Sequence, residues 1–405
     1  MKGKSKAILA VVCCSIATFW YGAFIFGFPG VMSNDWQAKM GVGRGEIGNI
    51  LFFVLASVGI LMFFVGKWQE RVGITRMMTI GAAVCGVNLL FMAYASQLWM
   101  LYVWAFVMGG GSCFVYIPAL TSVQRWFPTR RGLVCGIVNF TFGFSAAVMS
   151  PVFRYLLDAV GYVSMNLLLG LVALVSGIVA AQFAEPPVNP AGAGNVQGAA
   201  GAGFADDLER SLTVREALRT ASFWLLWTTW ALQGAAGIAM VVLSPAYGLS
   251  KGFGLDTAVA ILMGFNATNG IGRLLTGYIS DLFGRTSTMS ATFFAAGLSY
   301  LVLPHVGGLS AMIALAAIIG FAFGALFGVS APLAMDCFGI RHFGAIFGLT
   351  FTAYGFVAGP IGPSLSGYLL DATNGDFFVV FTYLGVFCLI SSVLIRFVAP
   401  RPTSD

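Results

Sequence analysis

Charge is what this chain has least of. Of its 405 residues only 9% are Asp, Glu, Lys or Arg, 59% are apolar, and mean hydropathy is +0.89. Soluble domains carry roughly 25% charge, so an ordinary cytosolic enzyme is excluded and the solvent to consider is lipid. Histidine is nearly missing, with only His305 and His342. No HExxH string and no membrane-depth Ser/His/Asp set occurs, which argues against a membrane-embedded protease or acyltransferase. No GxxxxGK followed by Ser or Thr is present, so ATP-driven transport is not expected. The seven cysteines, at 13, 14, 85, 113, 135, 337 and 388, form no CxxC pair and read as reduced, membrane-buried small residues rather than a disulfide framework or zinc site. No cofactor or metal is expected.

Long stretches free of charge are abundant. A bilayer core about 30 Å thick takes roughly 20 apolar residues per helix. Ten stretches qualify: 7–34, 47–66, 77–124, 132–153, 159–184, 220–250, 257–280 with one interruption, 286–335, 342–370 and 377–395. Those at 77–124 and 286–335 are long enough for two helices each, with breaks near Ser96-Gln97 and Pro304-His305, so the chain reads as twelve transmembrane helices. A porin-like barrel would need alternation of period two, which is absent.

Counting cations gives the orientation. An even number of crossings returns the chain to its starting side, and inner loops carry excess Lys and Arg. Placing both termini in the cytoplasm puts 16 cations inside, against Lys39, Arg44, Arg154 and Lys251 outside. The net charge of +6 is therefore topological, and no nucleic-acid partner is implied. The first stretch follows Lys2, Lys4 and Lys6 like a signal peptide, but its 28 uncharged residues exceed such a core and it reads as a retained helix. A bacterial inner membrane is the expected location.

One polar interval, 185–221, divides two segments of equal length, 1–184 and 222–405. It holds the Gly/Ala-rich 191–203, a flexible composition, and ends over 206–220 in a pattern compatible with an amphipathic helix on the membrane surface. The segments repeat each other. Gly66, Glu70 and Gly73 recur 211 residues later as Gly277, Asp281 and Gly284, and Gly132 recurs 212 later as Gly344. Two loops with offsets only one residue apart point to two six-helix bundles of the same orientation, an all-α membrane fold with pseudo-symmetry about the membrane normal.

The string from Gly66 through Glu70, Arg71 and Gly73 to Arg76 resembles the G-x-x-x-D/E-R-x-G-x-x-R loop signature of the major facilitator superfamily, and Gly277 to Arg285 is its second copy. The resemblance spans the chain. It implies that Gly66, Glu70, Arg71, Arg76, Asp281 and Arg285 form a gating latch rather than a substrate site, because such charges pair across the bundle only when the inner side is closed. The strings 125–132, 218–227 and 336–339 resemble the oxalate:formate antiporter and monocarboxylate porter branch.

Substrate chemistry is expected where polar residues stand at membrane depth. Arg273 is the only charge well inside a span, at an insertion cost of about 2.5–3.5 kcal/mol. Asn266, Asn269 and Arg273 are spaced i, i+3, i+7, one helical face, which would meet the cavity between halves. A guanidinium there offers paired donors that match a carboxylate. A structural alternative is that Arg273 reaches inner water or pairs with Asp281. In the antiporter branch a lysine in the eleventh helix accompanies the arginine, and alignment of 347–355 places Tyr354 there. One cation matches one carboxylate, so a small monocarboxylate of the lactate, pyruvate, acetate or formate class is expected. Tyr116 resembles a family tyrosine that donates to the carboxylate, and Tyr21, Phe327 and Phe351 are further lining candidates. Glycines repeat every four residues at Gly320, Gly324 and Gly328 and again in helix eleven, where Pro360 and Pro363 loosen the helix.

Transport is expected to be secondary and proton-coupled, with carboxylate exchange of the oxalate:formate type as the alternative and a non-transporting anion sensor as a third reading. The resemblance to animal monocarboxylate transporters implies an aspartate four residues before the arginine and a lysine in helix one. This chain has Asn269 and an uncharged helix one instead, so any proton carrier would be the Arg273 site itself or a peripheral acid such as Glu46 or Asp256. The expected partners are a small organic anion, protons and membrane lipid, and the expected state is a monomer.

Overall fold

The computed structural model describes residues 2–127, 131–184, 211–339 and 342–399. Its elements are α1 (Lys2–Phe26), α2 (Phe28–Met40), α3 (Arg44–Val72), α4 (Ile74–Ala93), α5 (Leu98–Trp126), α6 (Arg131–Gln182), α7 (Val214–Ala217), α8 (Ala221–Ser250), α9 (Leu255–Phe283), α10 (Arg285–Val302), α11 (Leu309–Phe338), α12 (Phe343–Ala353), α13 (Leu365–Ala372) and α14 (Phe377–Leu394). The helices form because lipid supplies no partner for backbone N–H and C=O groups, so each crossing must satisfy its own.

Nine helices among the described residues are long and apolar enough to cross a membrane. One of them, Leu133–Gln182, crosses twice, because Gly161 breaks α6 with φ 78° and ψ 169°. α9 spans as well, although Asp256, Arg273 and Asp281 lower its apolarity. The remaining crossing is assembled from α12 and α13 joined through two π-helical stretches, Tyr354–Ala358 and Pro360–Ser364. The total is twelve, with α1 and α2 forming a single crossing that is interrupted at Gly27.

The internal repeat is visible in the backbone. Gly41 (φ 66°) and Gly252 (φ 86°) end the first helix of each half, and Gly73 (φ 91°) and Gly284 (φ 87°) turn the second helix into the third. Both pairs keep the offset of 211, and both need a left-handed conformation that a Cβ disfavours. Lys39 and Lys251 repeat too: each Nζ donates to a carbonyl, of Ala95 and Pro304, and each lies over a tyrosine ring.

The amphipathic helix expected over 206–220 falls mostly outside the described residues. Its described part is one turn, Val214–Ala217, where Thr213 and Glu216 form a capping box.

The halves meet mainly where α6 packs on α9, α3 on α12, the π-helical stretches and α13, and α2 on α8. Small residues allow this. A Cβ on Gly355 would lie 2.9 Å from the Gly59 Cα, and one on Gly270 would lie 2.7 Å from the Phe144 amide. At one end of the bundle the contact is polar. Arg154 Nε bonds Asp256 at 2.8 Å, the Gly45 amide donates to Asp371 at 3.0 Å, and Asn49 donates to the Tyr368 hydroxyl at 3.0 Å. At the opposite end, a Cβ on Gly66, Gly277 or Gly348 would meet nothing within 4 Å.

Candidate substrate site

Arg273 stands in the middle of α9 and is 3% exposed. Its position is fixed by glycine. Gly320, Gly324 and Gly328 of α11 press on the α9 backbone: a Cβ on Gly324 would be 2.4 Å from the Asn269 carbonyl oxygen, and one on Gly328 2.6 Å from that of Arg273. From the other half, Gly143 of α6 leaves room for the side chain, since a Cβ there would be 2.9 Å from Nε. The every-fourth-residue glycines of α11 thus seat the helix that carries the charge.

Nothing acidic neutralises the guanidinium among the described residues. Asp281, the nearest candidate along α9, pairs with Arg285 at 3.3 Å, and Arg285 also bonds Asp336 of α11. The alternative of Arg273 tied to Asp281 or drawn out to water is therefore corrected by the structure. Compensation comes from aromatic faces: the guanidinium carbon lies 4.2 Å from the Phe327 ring centroid, 5.5 Å from Phe142 and 5.6 Å from Phe26. Each such contact contributes about 0.5–2 kcal/mol. Nε donates to Asn269 Oδ1 at 3.3 Å, whereas Nη1 and Nη2 are buried with no hydrogen-bond partner among the described residues. These two N–H-bearing atoms are the pair that a carboxylate accepts from.

Arg273 lines a cavity of about 50 Å³ between the halves. A water molecule needs roughly 10–15 Å³ on this measure, so the space suits a few heavy atoms. Arg273, Phe327, Phe351 and Tyr354 form its wall on the C-terminal half, and Tyr116, Ser112 and Phe142 stand on the N-terminal half. The Tyr354 hydroxyl is buried and unpartnered, hence a free donor, at the start of the first π-helical stretch. A π turn leaves backbone groups unsatisfied and recurs at functional sites. Tyr116 spends its hydroxyl proton on Asn139 Oδ1 of α6.

Three of the residues expected on the cavity wall do not line it. Tyr21 is 1% exposed in the N-terminal half and donates to the Gly81 carbonyl at 2.7 Å. Asn266 reaches across the interface and donates to the carbonyl of Phe26, the last residue of α1, at 3.2 Å. Asn269 stands behind the guanidinium it orients, with its Nδ2 unpartnered. Of the latch residues, Arg71 and Arg76 are exposed, the Glu70 side chain lies outside the described ones, and Asp281 and Arg285 pair within their own half.

Sequence reasoning did not single out Asn139 or Trp230. Asn139 is an amide inside the uncharged run 132–153, a signal of the same kind as Asn269. Trp230 of α8 is fully buried and backs the aromatic wall, with ring centroids 4.6 Å from Phe351, 5.1 Å from Phe327 and 5.7 Å from Tyr354. No sequence signal separates it from the other tryptophans.

The chain matches the family model of the Major Facilitator Superfamily over residues 14–359 and 260–405. It is 27% identical over 341 residues to the oxalate:formate antiporter of Oxalobacter formigenes, covering 84% of this chain and 78% of that protein. It is 24% identical over 405 residues to human monocarboxylate transporter 10, covering 95% and 77%, and 29% identical over 345 residues to human monocarboxylate transporter 11, covering 80% and 69%. Among solved structures, a bacterial homologue of the human lysosomal transporter Spinster, in an inward-facing and unoccupied conformation, shares the fold with a TM-score of 0.70 at 13% identity, covering 98% of this chain and 95% of that one.

Proposed function

The chain belongs to the major facilitator superfamily, and we propose that it is a secondary transporter of small monocarboxylates working by alternating access. One observation carries this reading: a buried guanidinium, on a residue lining a small cavity between the halves, whose two terminal nitrogens have no partner among the described residues. Its relatives' names, an oxalate:formate antiporter and monocarboxylate transporters, agree with a carboxylate cargo.

The carboxylate docks on Nη1 and Nη2 of Arg273 and takes a further hydrogen bond from the Tyr354 hydroxyl. Asn269 holds the guanidinium plane, and the Tyr116–Asn139 pair fixes the opposite wall. A second carboxylate on the cargo would have no cation to meet and would be buried unpaired, which selects against dianions.

The moving bodies are 1–184 and 222–405, joined by 185–221. With both termini in the cytoplasm of a bacterium and the chain in its inner membrane, the Arg154 end faces outward. Polar ties between the halves hold that end together, which supports an inward-facing arrangement in a monomeric carrier. The intact loop signatures of both halves favour a moving transporter over an anion sensor.

Proton coupling follows if the incoming acid supplies the proton, since the cavity wall itself carries no acid among the described residues. Exchange has its own support. The charge of Arg273 meets no anion when the cavity is empty, only aromatic faces, so reorientation should be easier loaded than unloaded.

Uptake of labelled acetate or lactate into proteoliposomes tests both readings. Arg273→Ala is expected to lower uptake at least 100-fold while the purified protein keeps its melting temperature within a few degrees, and Arg273→Lys to recover only a minor fraction because it lacks the fork of donors. Normal uptake by Arg273→Ala would reject the site. Preloading the vesicles with unlabelled acid separates exchange, which it accelerates, from symport, which an inward-directed proton gradient accelerates.

A further inference from the structure

Among the described residues, the free hydrogen-bond donors of the cavity wall all come from the C-terminal half. Arg273 and Tyr354 supply them, whereas Tyr116 has given its proton to Asn139 and Ser112 gives its own to the Gly109 carbonyl at 2.6 Å. The N-terminal half contributes Val54, Val58 and Met62 of α3 to the same wall, with Leu55 and with Ile25 of α1. Val54, Val58 and Met62 are spaced i, i+4, i+8, so they form one stripe running along the helix away from the middle of the bundle. None of these five side chains can pair with a polar group.

We propose that this stripe of α3 is the tail subsite of the carrier, a ruler that selects saturated short-chain carboxylates by length and rejects acids with a polar far end. The inference rests on the carboxylate reading above and deepens it. With the head fixed on Arg273, each further methylene of the cargo lies against aliphatic carbon and gains about fourfold in affinity. The gain ends where the tail meets Val58 and Met62, because close-packed interiors do not yield to an extra methylene without strain. A hydroxyl or carboxylate at the far end would lose its water and find no partner.

The test is competition of straight-chain acids from formate to hexanoate, with malonate added, against labelled acetate in proteoliposomes. The unsubstituted protein is expected to bind progressively tighter up to an optimum length and then lose affinity sharply, with malonate at least tenfold weaker than propionate. Val58→Ala and Met62→Ala should move the optimum one or two carbons longer and raise the affinity of the longer acids, relative to acetate, by fourfold to fifteenfold. Val58→Leu should move it shorter.

An unchanged length profile in all three variants, with acetate uptake retained, would overturn the subsite while leaving the transport reading intact. The same holds if malonate competes as well as propionate. Failure of the unsubstituted protein to take up any carboxylate would overturn the transport reading, and this inference with it.

Discussion

Arg273 is legible in the sequence because a cation in an apolar run has few ways to be tolerated, and the structure shows which one applies: rings from both halves surround it and its outer nitrogens stay free. The residues around it are less legible. Phe142 and Phe26 touch the guanidinium as Phe327 does, yet among 37 phenylalanines none announces that role. Val54 and Val58 are harder still, since aliphatic side chains look alike whether they face lipid, core or cargo. Tyr354 is the position where a single substitution should change the charge the site accepts. Tyr354→Lys places a second cation beside Arg273 and is expected to raise oxalate affinity at least tenfold relative to acetate, read by competition in proteoliposomes. An unaltered ratio would mean that charge counting does not set selectivity here.

At the scale of helices, spans were readable wherever composition and continuity agreed. They diverged in two places, each with a physical reason. α9 pays for its charge with lower apolarity, and the eleventh crossing yields its regular geometry to Pro360 and Pro363, which lack an amide proton and widen the backbone into π turns. The glycine stripe of α11 was visible as a pattern but its partner was not; contact with the carbonyls of Phe265, Asn269 and Arg273 identifies it as the seat of α9. Gly324→Ala would set a methyl group 2.4 Å from the Asn269 oxygen, which is backbone and can move only with its helix. Overpacking of this kind costs about 1–3 kcal/mol. The variant is expected to melt several degrees lower and to bind carboxylate at least tenfold more weakly, as measured by thermal shift and uptake, whereas Gly307→Ala, which meets nothing within 4 Å, should do neither.

For the whole molecule, the repeat was evident from two loops with offsets only one residue apart, and the positive-φ glycines at 41, 73, 252 and 284 give its backbone counterpart. What the loops could not reveal is which end is shut, because that depends on pairs between halves far apart in sequence. Arg154 with Asp256 and the Gly45 amide with Asp371 are such pairs. The Arg154 side chain is 22% exposed and that of Asp256 76%, so the bridge is solvated and contributes about 0.2–1 kcal/mol. Asp256→Asn is therefore expected to raise the fraction opened at that end by about 1.4-fold to fivefold. The readout is labelling of a cysteine introduced by Ser112→Cys, using a membrane-impermeant thiol reagent added from the Arg154 side and compared with the unsubstituted chain. No increase would show that the other ties alone keep that end shut. A pocket with an arginine anchor between two bundles also defines how the carrier could be jammed. An acid whose head fits the anchor but whose body is too thick for the clearance between α3 and α12 would act as a wedge, holding the bundles splayed and arresting the cycle.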